Sequence, residues 1–244
     1  MSVKNLVSVI LPKRKGEDVS KFISAIENST YMNGFEFDVE IIVVNLGQER
    51  SSQRNTGLET MKGNYVLVLD SDQMVTPDLI GECVFLMDKN PDCTGIYIPE
   101  IIPGNDWFSR LRNWERQFYN GTAVDVVRFV RAKDCPKFDL TMSGPEDADW
   151  GNRIQGKKLI SKNYFYHYDN VSLKKYLQKK AYYSKSMKKY QEKWPQDKCL
   201  NFWYRCFWVF FERGKWKRFL GNPVMALGVM GIIFLRGVIY LCKR

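Results

Sequence analysis

Apolar residues fall in short blocks along the first hundred positions, and the blocks alternate between two spacings. Leu6–Leu11 (LVSVIL), Val39–Val44 (VEIIVV), Tyr65–Leu69 (YVLVL) and Thr94–Pro99 are compact runs of the kind that fill buried strands. Between them the spacing becomes helical. Phe22, Ile23 and Ile26 recur on one helix face, and Ser52–Met61 reads as a helix stopped by Gly63. Thr76 followed by Pro77 supplies an N-cap and a first-turn proline for a helix running to about Asp88. This alternation predicts an α/β fold, a parallel sheet flanked by helices on both faces.

Further on, Trp107–Tyr119 reads as a helix, Val126–Val130 as a strand, and Glu146–Gln155 as a helix opened by Gly144-Pro145. Leu159–Tyr168 reads as one late strand. Its period of two puts Tyr164, Tyr166 and Tyr168 on one face and Phe165, His167 and Asp169 on the other. From Ser172 to Trp194 the apolar positions keep helical spacing while lysines crowd the rest, which predicts a basic amphipathic helix. Phe202–Phe211 is dense in aromatics. Val224–Leu235 carries no charge, Arg236 interrupts, and Gly237–Cys242 resumes the apolar run.

Charge divides the chain. Residues 1–150 hold 16 Lys+Arg and 23 Asp+Glu, whereas residues 151–244 hold 21 and 4. The expected division is a catalytic domain over 1–170 and a basic, apolar membrane-associating region over 171–244. A strongly basic tail calls for an anionic partner, a lipid surface or nucleic acid. Charged residues at 26% and hydrophobic residues at 45% are ordinary globular usage and exclude a disordered chain. The six cysteines form no C-x-x-C pair and read as reduced thiols. The apolar tail is near spanning length only if Arg236 is counted. An arginine at mid-bilayer is costly, so the tail is expected to lie in the interface, with a single span as the alternative. The first apolar block is too short for a signal peptide, which puts the expected location at the cytoplasmic face of the membrane.

In such sheets ligands gather outside the carboxyl ends of the strands. That singles out Pro12-Lys13-Arg14, Asn45 and Asp70-Ser71-Asp72. Two carboxylates spaced by one residue at a strand end can grip a hard divalent cation, Mn²⁺ or Mg²⁺, which would neutralise a diphosphate. The same spacing is also common in turns that bind nothing. No glycine-rich loop follows the first strand, which disfavours dinucleotide and P-loop sites.

The segments VSVILP, VEIIVVN, ERSSQRNTGLETMKGNYVLVLDSDQMVTPDLI and FDLTMSGPEDADWGNRI, in that order, resemble family 2 glycosyltransferases of the GT-A fold. FYHYDNVSLKKYLQKKAYYSKSMKKY and ERSSQRN are similar to a membrane-surface (monotopic) bacterial and archaeal subgroup. The resemblance implies a metal-dependent, inverting transfer from a nucleotide-sugar donor to a lipid-linked, polyprenyl-type acceptor. It assigns Asp72 and His167 to the metal, and Asp70 to the nucleoside or the metal. Pro12, Lys13, Arg14, Asn45, Arg54, Asn55 and Ser71 would surround the donor. Asp147 would be the general base, with Glu146 beside it for acceptor hydroxyls. Asn45 stands where many relatives carry Asp, and Lys13-Arg14-Lys15 where a small residue and Tyr are common. No Q-x-x-R-W motif is present, so a single transfer is expected. The rival readings are a nucleotidyltransferase on a similar sheet and a non-catalytic basic module that binds nucleic acid or membrane; the apolar stretch 224–235 disfavours nucleic acid.

Overall fold

The structure, a computed structural model, describes residues 5–29, 31–32, 35–47, 49–169 and 172–242. The chain runs β1 (Asn5–Pro12), α1 (Ser20–Glu27), β2 (Tyr31–Met32), β3 (Phe35–Val44), α2 (Arg50–Thr60), β4 (Tyr65–Val68), β5 (Gln73–Val75) and α3 (Leu79–Lys89). It continues through β6 (Cys93–Tyr97), β7 (Glu100–Ile101), α4 (Trp107–Arg116), β8 (Val127–Arg131), α5 (Glu146–Arg153), β9 (Lys157–Ile160) and β10 (Phe165–His167). The tail holds α6 (Leu173–Tyr183), α7 (Met187–Lys193), a π-helical turn (Tyr204–Trp208), α8 (Val209–Phe211), α9 (Trp216–Leu220) and α10 (Pro223–Cys242).

Seven strands form one sheet in the order β2-β3-β1-β4-β8-β6-β9. The four apolar blocks expected from the sequence are β1, β3, β4 and β6, and their side chains make the main core with α1 and α3. The sheet is mixed, not parallel throughout. β8 runs antiparallel to both β4 and β6. After β6 the chain stays at the carboxyl end, where α4 packs on β7, so β8 re-enters from that end. Its first residues, Arg128 among them, therefore lie beside the ends of β1 and β4.

The single strand expected over 159–168 is two. β9 pairs with β6, whereas β10 leaves to form a small sheet, β5-β10-β7. A carboxylate makes the break. Glu82 on α3 accepts from Ser161 Oγ at 2.5 Å, from the Lys162 N–H at 2.9 Å and from the Asn163 N–H at 2.8 Å. That holds a turn where a strand would continue, and it carries His167 to the rim next to β5. The basic helix expected over 172–194 is also broken. Ser172 caps α6 as its N-cap, but a 3₁₀ turn at Ser184–Ser186 separates it from α7. Asp149, fully buried on α5, draws α7 in through Lys193 Nζ at 2.7 Å and Trp194 Nε1 at 2.8 Å.

α10 is one continuous helix across Arg236. Ala226, Val229, Ile232 and Arg236 are buried and recur on one face, packed against α4 and α6. Val224, Leu227, Phe234 and Val238 share the opposite face and are exposed.

Candidate active site

At the carboxyl end of the sheet a cavity of about 260 Å³ is lined by Arg50, Asp70, Arg128, Glu146, Asp147, His167 and Asp169, among others. β4 delivers Asp70, α2 delivers Arg50 and Arg54, β8 delivers Arg128, α5 opens on Glu146 and Asp147, and β10 ends on His167.

Asp70 belongs to an ion-pair network and not to a metal set. Arg54, with no exposed surface, bonds Asp70 through Nη2 at 2.8 Å and Asp147 through Nη1 at 2.5 Å. Arg50 reaches Asp70 at 3.5 Å, and Arg128 approaches both carboxylates, at 3.9 and 3.8 Å. Burial alone would raise the Asp70 carboxyl; the three guanidiniums reverse this and hold it far below the usual carboxylate range. With that much positive charge around it, Asp70 is a poor ligand for a second cation. The metal role expected for it is corrected on that ground. Asp147 is held low in the same way by Arg54 and Arg128, against the cost of burial. Glu146 moves the other way, raised by burial and by its neighbour Asp147, and its carboxylate accepts from the Gly144 N–H.

The group with metal-ligand geometry is Asp72, His167 and Asp169. Each offers a ligand atom, and these atoms lie within 4.8 Å of one another. His167 Nδ1 meets Glu100 Oε1 at 2.8 Å, so Nε2 faces Asp72 Oδ1 at 3.3 Å. A carboxylate behind a histidine is the arrangement that orients an imidazole ligand. Burial opposes charging this ring, yet hydrogen bonds with Asp72 and Glu100 raise its pKa to about 10. Asp72 Oδ1 is buried, and its one near partner among the described residues is the His167 ring at 3.3 Å, outside good hydrogen-bond geometry. Two carboxylates around one imidazole nitrogen that holds a proton between them fit a divalent cation in place of that proton.

The remaining expected donor residues are divided. Lys13 turns its ammonium onto the Glu17 carbonyl at 2.7 Å, and Ser71 Oγ donates to Glu17 Oε1 at 2.9 Å. Pro12 is buried at the end of β1, and Arg14 and Asn45 are exposed at the same rim. Asn55 does not face the cavity. Its amide donates to the Phe138 carbonyl at 2.9 Å and accepts the Phe138 N–H at 2.7 Å, which uses it as a clamp on that loop and corrects the donor-binding role expected for it. Sequence reasoning did not single out Asp169, although the alternation had placed it on the His167 face. Glu100 was also missed. Its signal was its place just beyond a strand end. Arg131 on β8 turns away from the cavity and donates to the carbonyls of Met87, Asn90 and Cys93.

The model of the family described as Glycosyl transferase family 2 matches residues 24–139. An uncharacterized glycosyltransferase of Haemophilus influenzae is 30% identical over 83 residues, 34% of this chain and 26% of that protein. Solved structures of S. aureus TarS align over 75% of this chain. One covers 39% of the TarS chain at 15% identity and a TM-score of 0.49. Another, TarS 1–349 in complex with UDP-GlcNAc, is covered over 66% at 13% identity and a TM-score of 0.48. The chain thus spans about a quarter of the curated relative that it matches. Asp147, His167 and Asp169 lie beyond the matched segment, on elements that the fold brings back to it. Residues 24–139, a little under half of the chain and five of the seven strands of the mixed sheet, are thus similar in sequence to glycosyl transferase family 2.

Proposed function

We propose that this chain transfers a sugar, with inversion, from a nucleotide sugar to a lipid-linked acceptor at a membrane surface, using a divalent cation held by Asp72, His167 and Asp169. One observation carries the reading: a candidate base, Asp147, and a cation-ready triad at the same rim of the sheet, with His167, Asp169 and Asp147 lining one cavity.

A bound Mn²⁺ or Mg²⁺ would supply neutralisation of the departing diphosphate. The chain supplies the rest. Glu100 fixes the His167 ring so that Nε2 faces the ligand position. Lys13 and Arg14, at the end of β1, lie where a donor phosphate would approach. Asp147 serves as base through one oxygen only. Oδ1 is held by Arg54 at 2.5 Å, whereas Oδ2 has only Arg128, at 3.8 Å. Oδ2 is therefore the atom free to take an acceptor hydroxyl proton, and the arginines keep it ionised to do so.

The membrane part rests on the tail. Leu227 is 75% exposed, Phe234 70%, Trp208 64% and Trp203 62%. Exposed lysines at 174, 175, 185, 188, 189 and 217 accompany this apolar surface. Large exposed apolar surface beside Trp and Lys suits an interfacial helix on an anionic bilayer. Pro223–Tyr240 is long and apolar enough to span, with a mean hydropathy of 1.9. Its buried face, closed by Arg236 on Glu115, favours lying on the surface over crossing it.

The deciding experiment screens nucleotide sugars with and without Mn²⁺, following release of the nucleoside diphosphate. Asp72→Ala should abolish both release and its metal response, and Asp147→Asn should abolish transfer to a hydroxyl acceptor. Turnover that is indifferent to chelators, or release of pyrophosphate in its place, would overturn the reading.

A further inference from the structure

The catalytic cavity does not end at Asp147 and Asp169. It continues inward between α4, α6, the π-helical turn and α10, where its walls are Arg112, Lys180, Arg205, Arg236, Tyr119 and Tyr176. Four cationic side chains thus line this part of the cavity, and two of them, Arg112 and Arg236, share one carboxylate. Glu115, without exposed surface, gives Oε2 to Arg112, and Oε1 to Arg236 and to the Tyr119 hydroxyl. That saturates it. Among the described residues, Lys180 and Arg205 form no salt bridge. Arg205 donates to the Cys199 carbonyl at 3.3 Å, and Lys180 lies 5.4 Å from the centre of the Tyr176 ring. The Tyr176 hydroxyl is buried, its residue only 3% exposed, and has no hydrogen-bond partner.

Buried charges are normally paired, and buried hydroxyls normally bonded. Here Lys180 and Arg205, both half-buried and without a carboxylate partner among the described residues, face the same space as the buried Tyr176 hydroxyl, which Arg236 approaches. The electrostatics register a surplus of positive charge. Burial lowers the Lys180 ammonium, and Arg112, Arg236 and Arg205 push it lower still, well below the usual lysine range. Burial would raise the Tyr176 phenol, yet the same arginines bring it below its ordinary value. A site that repels its own lysine is short of an anion.

We infer that this inner cavity binds the phosphate or diphosphate of a lipid-linked sugar acceptor, through Arg112, Lys180, Arg205, Arg236 and the Tyr176 hydroxyl, while the sugar of that acceptor extends to Asp147. The inference rests on the function proposed above and specifies its acceptor. Guanidinium and ammonium donors around a buried phenol match phosphate oxygens. Lys179, next along α6, is occupied by Asp169 at 3.5 Å, so the anion site and the cation triad are separate stations on one cavity. The wall that carries Arg236 is α10, whose opposite face is the exposed apolar surface. A lipid phosphate at headgroup level and its tail in the bilayer would meet the two faces of one helix. The separation also assigns the nucleophile. The phosphate is held by cations away from Asp147, so the attacking oxygen is a sugar hydroxyl that needs a base.

The test uses the full chain in neutral phosphatidylcholine nanodiscs with a chelator present, which removes any contribution from a metal. Farnesyl diphosphate and farnesol are titrated calorimetrically. The diphosphate should bind at least tenfold more tightly than the alcohol. Lys180→Met and Arg205→Gln should each weaken the diphosphate by about tenfold or more, the loss expected for one charge-assisted hydrogen bond, and leave farnesol unchanged. Lys180→Met should melt at or above the wild-type temperature, because it removes a repelled charge that serves binding and not folding. Equal affinity for alcohol and diphosphate overturns the inference. So do variants that melt lower yet keep the affinity, or phosphatidylglycerol vesicles that bind as strongly and lose that binding in the same variants. Nucleotide-sugar binding with Mn²⁺, measured on the same variants, should stay at the wild-type level. Its absence in the wild type would refute the proposed function without touching the diphosphate result.

Discussion

Arg54→Met isolates what the buried charge network contributes. The guanidinium has no exposed surface and lies over the Phe138 ring at 4.9 Å, so methionine replaces its stem without opening a large void. What is lost is charge. Asp70 keeps Arg50 at 3.5 Å and Arg128 at 3.9 Å but loses its 2.8 Å partner. Asp147 loses its 2.5 Å partner and keeps only Arg128 at 3.8 Å. Two charge-assisted hydrogen bonds, at roughly 1.5–3 kcal/mol each, set an upper figure near 6 kcal/mol. Relaxation of Arg50 and Arg128 toward the carboxylates places the expected loss at the lower end, about 3 kcal/mol. For a chain of this size that lowers the melting temperature by about 6–12 °C near neutral pH.

The pH dependence separates charge from packing. In the wild type both carboxyls titrate below their unfolded values. Their contribution is therefore present above the unfolded aspartate pKa, about 3.9, and is lost as pH falls through the lower folded values. In the variant, burial without Arg54 moves the folded pKa values upward. The variant's acids then take up protons on folding, and its deficit shrinks as pH drops from 7 toward 4. Thermal melts of wild type, Arg54→Met and Arg54→Met/Asp70→Asn across that range measure it. The double variant should recover part of the loss at pH 7. A deficit constant with pH, unrelieved by Asp70→Asn, would mean that Arg54 acts through packing on Phe138, and the electrostatic account would be wrong.

Three further outcomes follow from the same geometry. Glu100→Gln should weaken Mn²⁺ affinity by about 10–100-fold, since it removes the carboxylate that orients His167; an unchanged Mn²⁺ titration would exclude His167 as a ligand. Leu227→Glu and Phe234→Glu, both on exposed positions, should cut partitioning to anionic vesicles by about tenfold or more while the melting temperature holds, whereas Val229→Glu on the buried face should fail to fold. Gly144→Ala should destabilise by about 2–4 kcal/mol, because Gly144 has φ +108° and a Cβ there would lie 2.4 Å from the Tyr183 Cβ. A neutral result in a thermal melt would mean that the loop before α5 is not held against α6.

What could be read from the chain was what is encoded locally. LVSVIL, VEIIVV and YVLVL become central strands because a strand buried on both faces needs an unbroken apolar run. The period of two that set His167 and Asp169 on one face holds in part of the expected strand, which is why the histidine was found at the rim. The direction of β8 was not legible, since it depends on α4 remaining at the carboxyl end and no residue in VRFVR records that. The break in the late strand was set by Glu82, 79 residues away from Ser161. Asp70 resembled a metal ligand because D-x-D is a pattern of neighbours, while the arginines that claim it are fixed by the fold. The Arg54–Asp147 pair spans 93 positions and the Arg236–Glu115 pair 121. Local pattern finds the acids, and tertiary pairing decides which of them remain free to bind.

Arg236 shows why this matters for the tail. In the sequence it is a defect in an apolar run, a reason to reject a span and nothing more. In the fold it sits on the one face of α10 that meets the domain, in register with Ala226, Val229 and Ile232, and it ends on a carboxylate that has no exposed surface. A spanning helix would have to take that charge into hydrocarbon, or else carry α4 with it, and α4 is packed on β7 of the small sheet that holds His167. Lying on the surface demands neither: the apolar face enters the interface while the guanidinium stays on the protein side. That position also makes Arg236 a residue through which α10 touches the cavity. A helix evolved only as an anchor would have no use for a buried charge at that turn. One that must bring a lipid phosphate to a catalytic cavity needs a cation there.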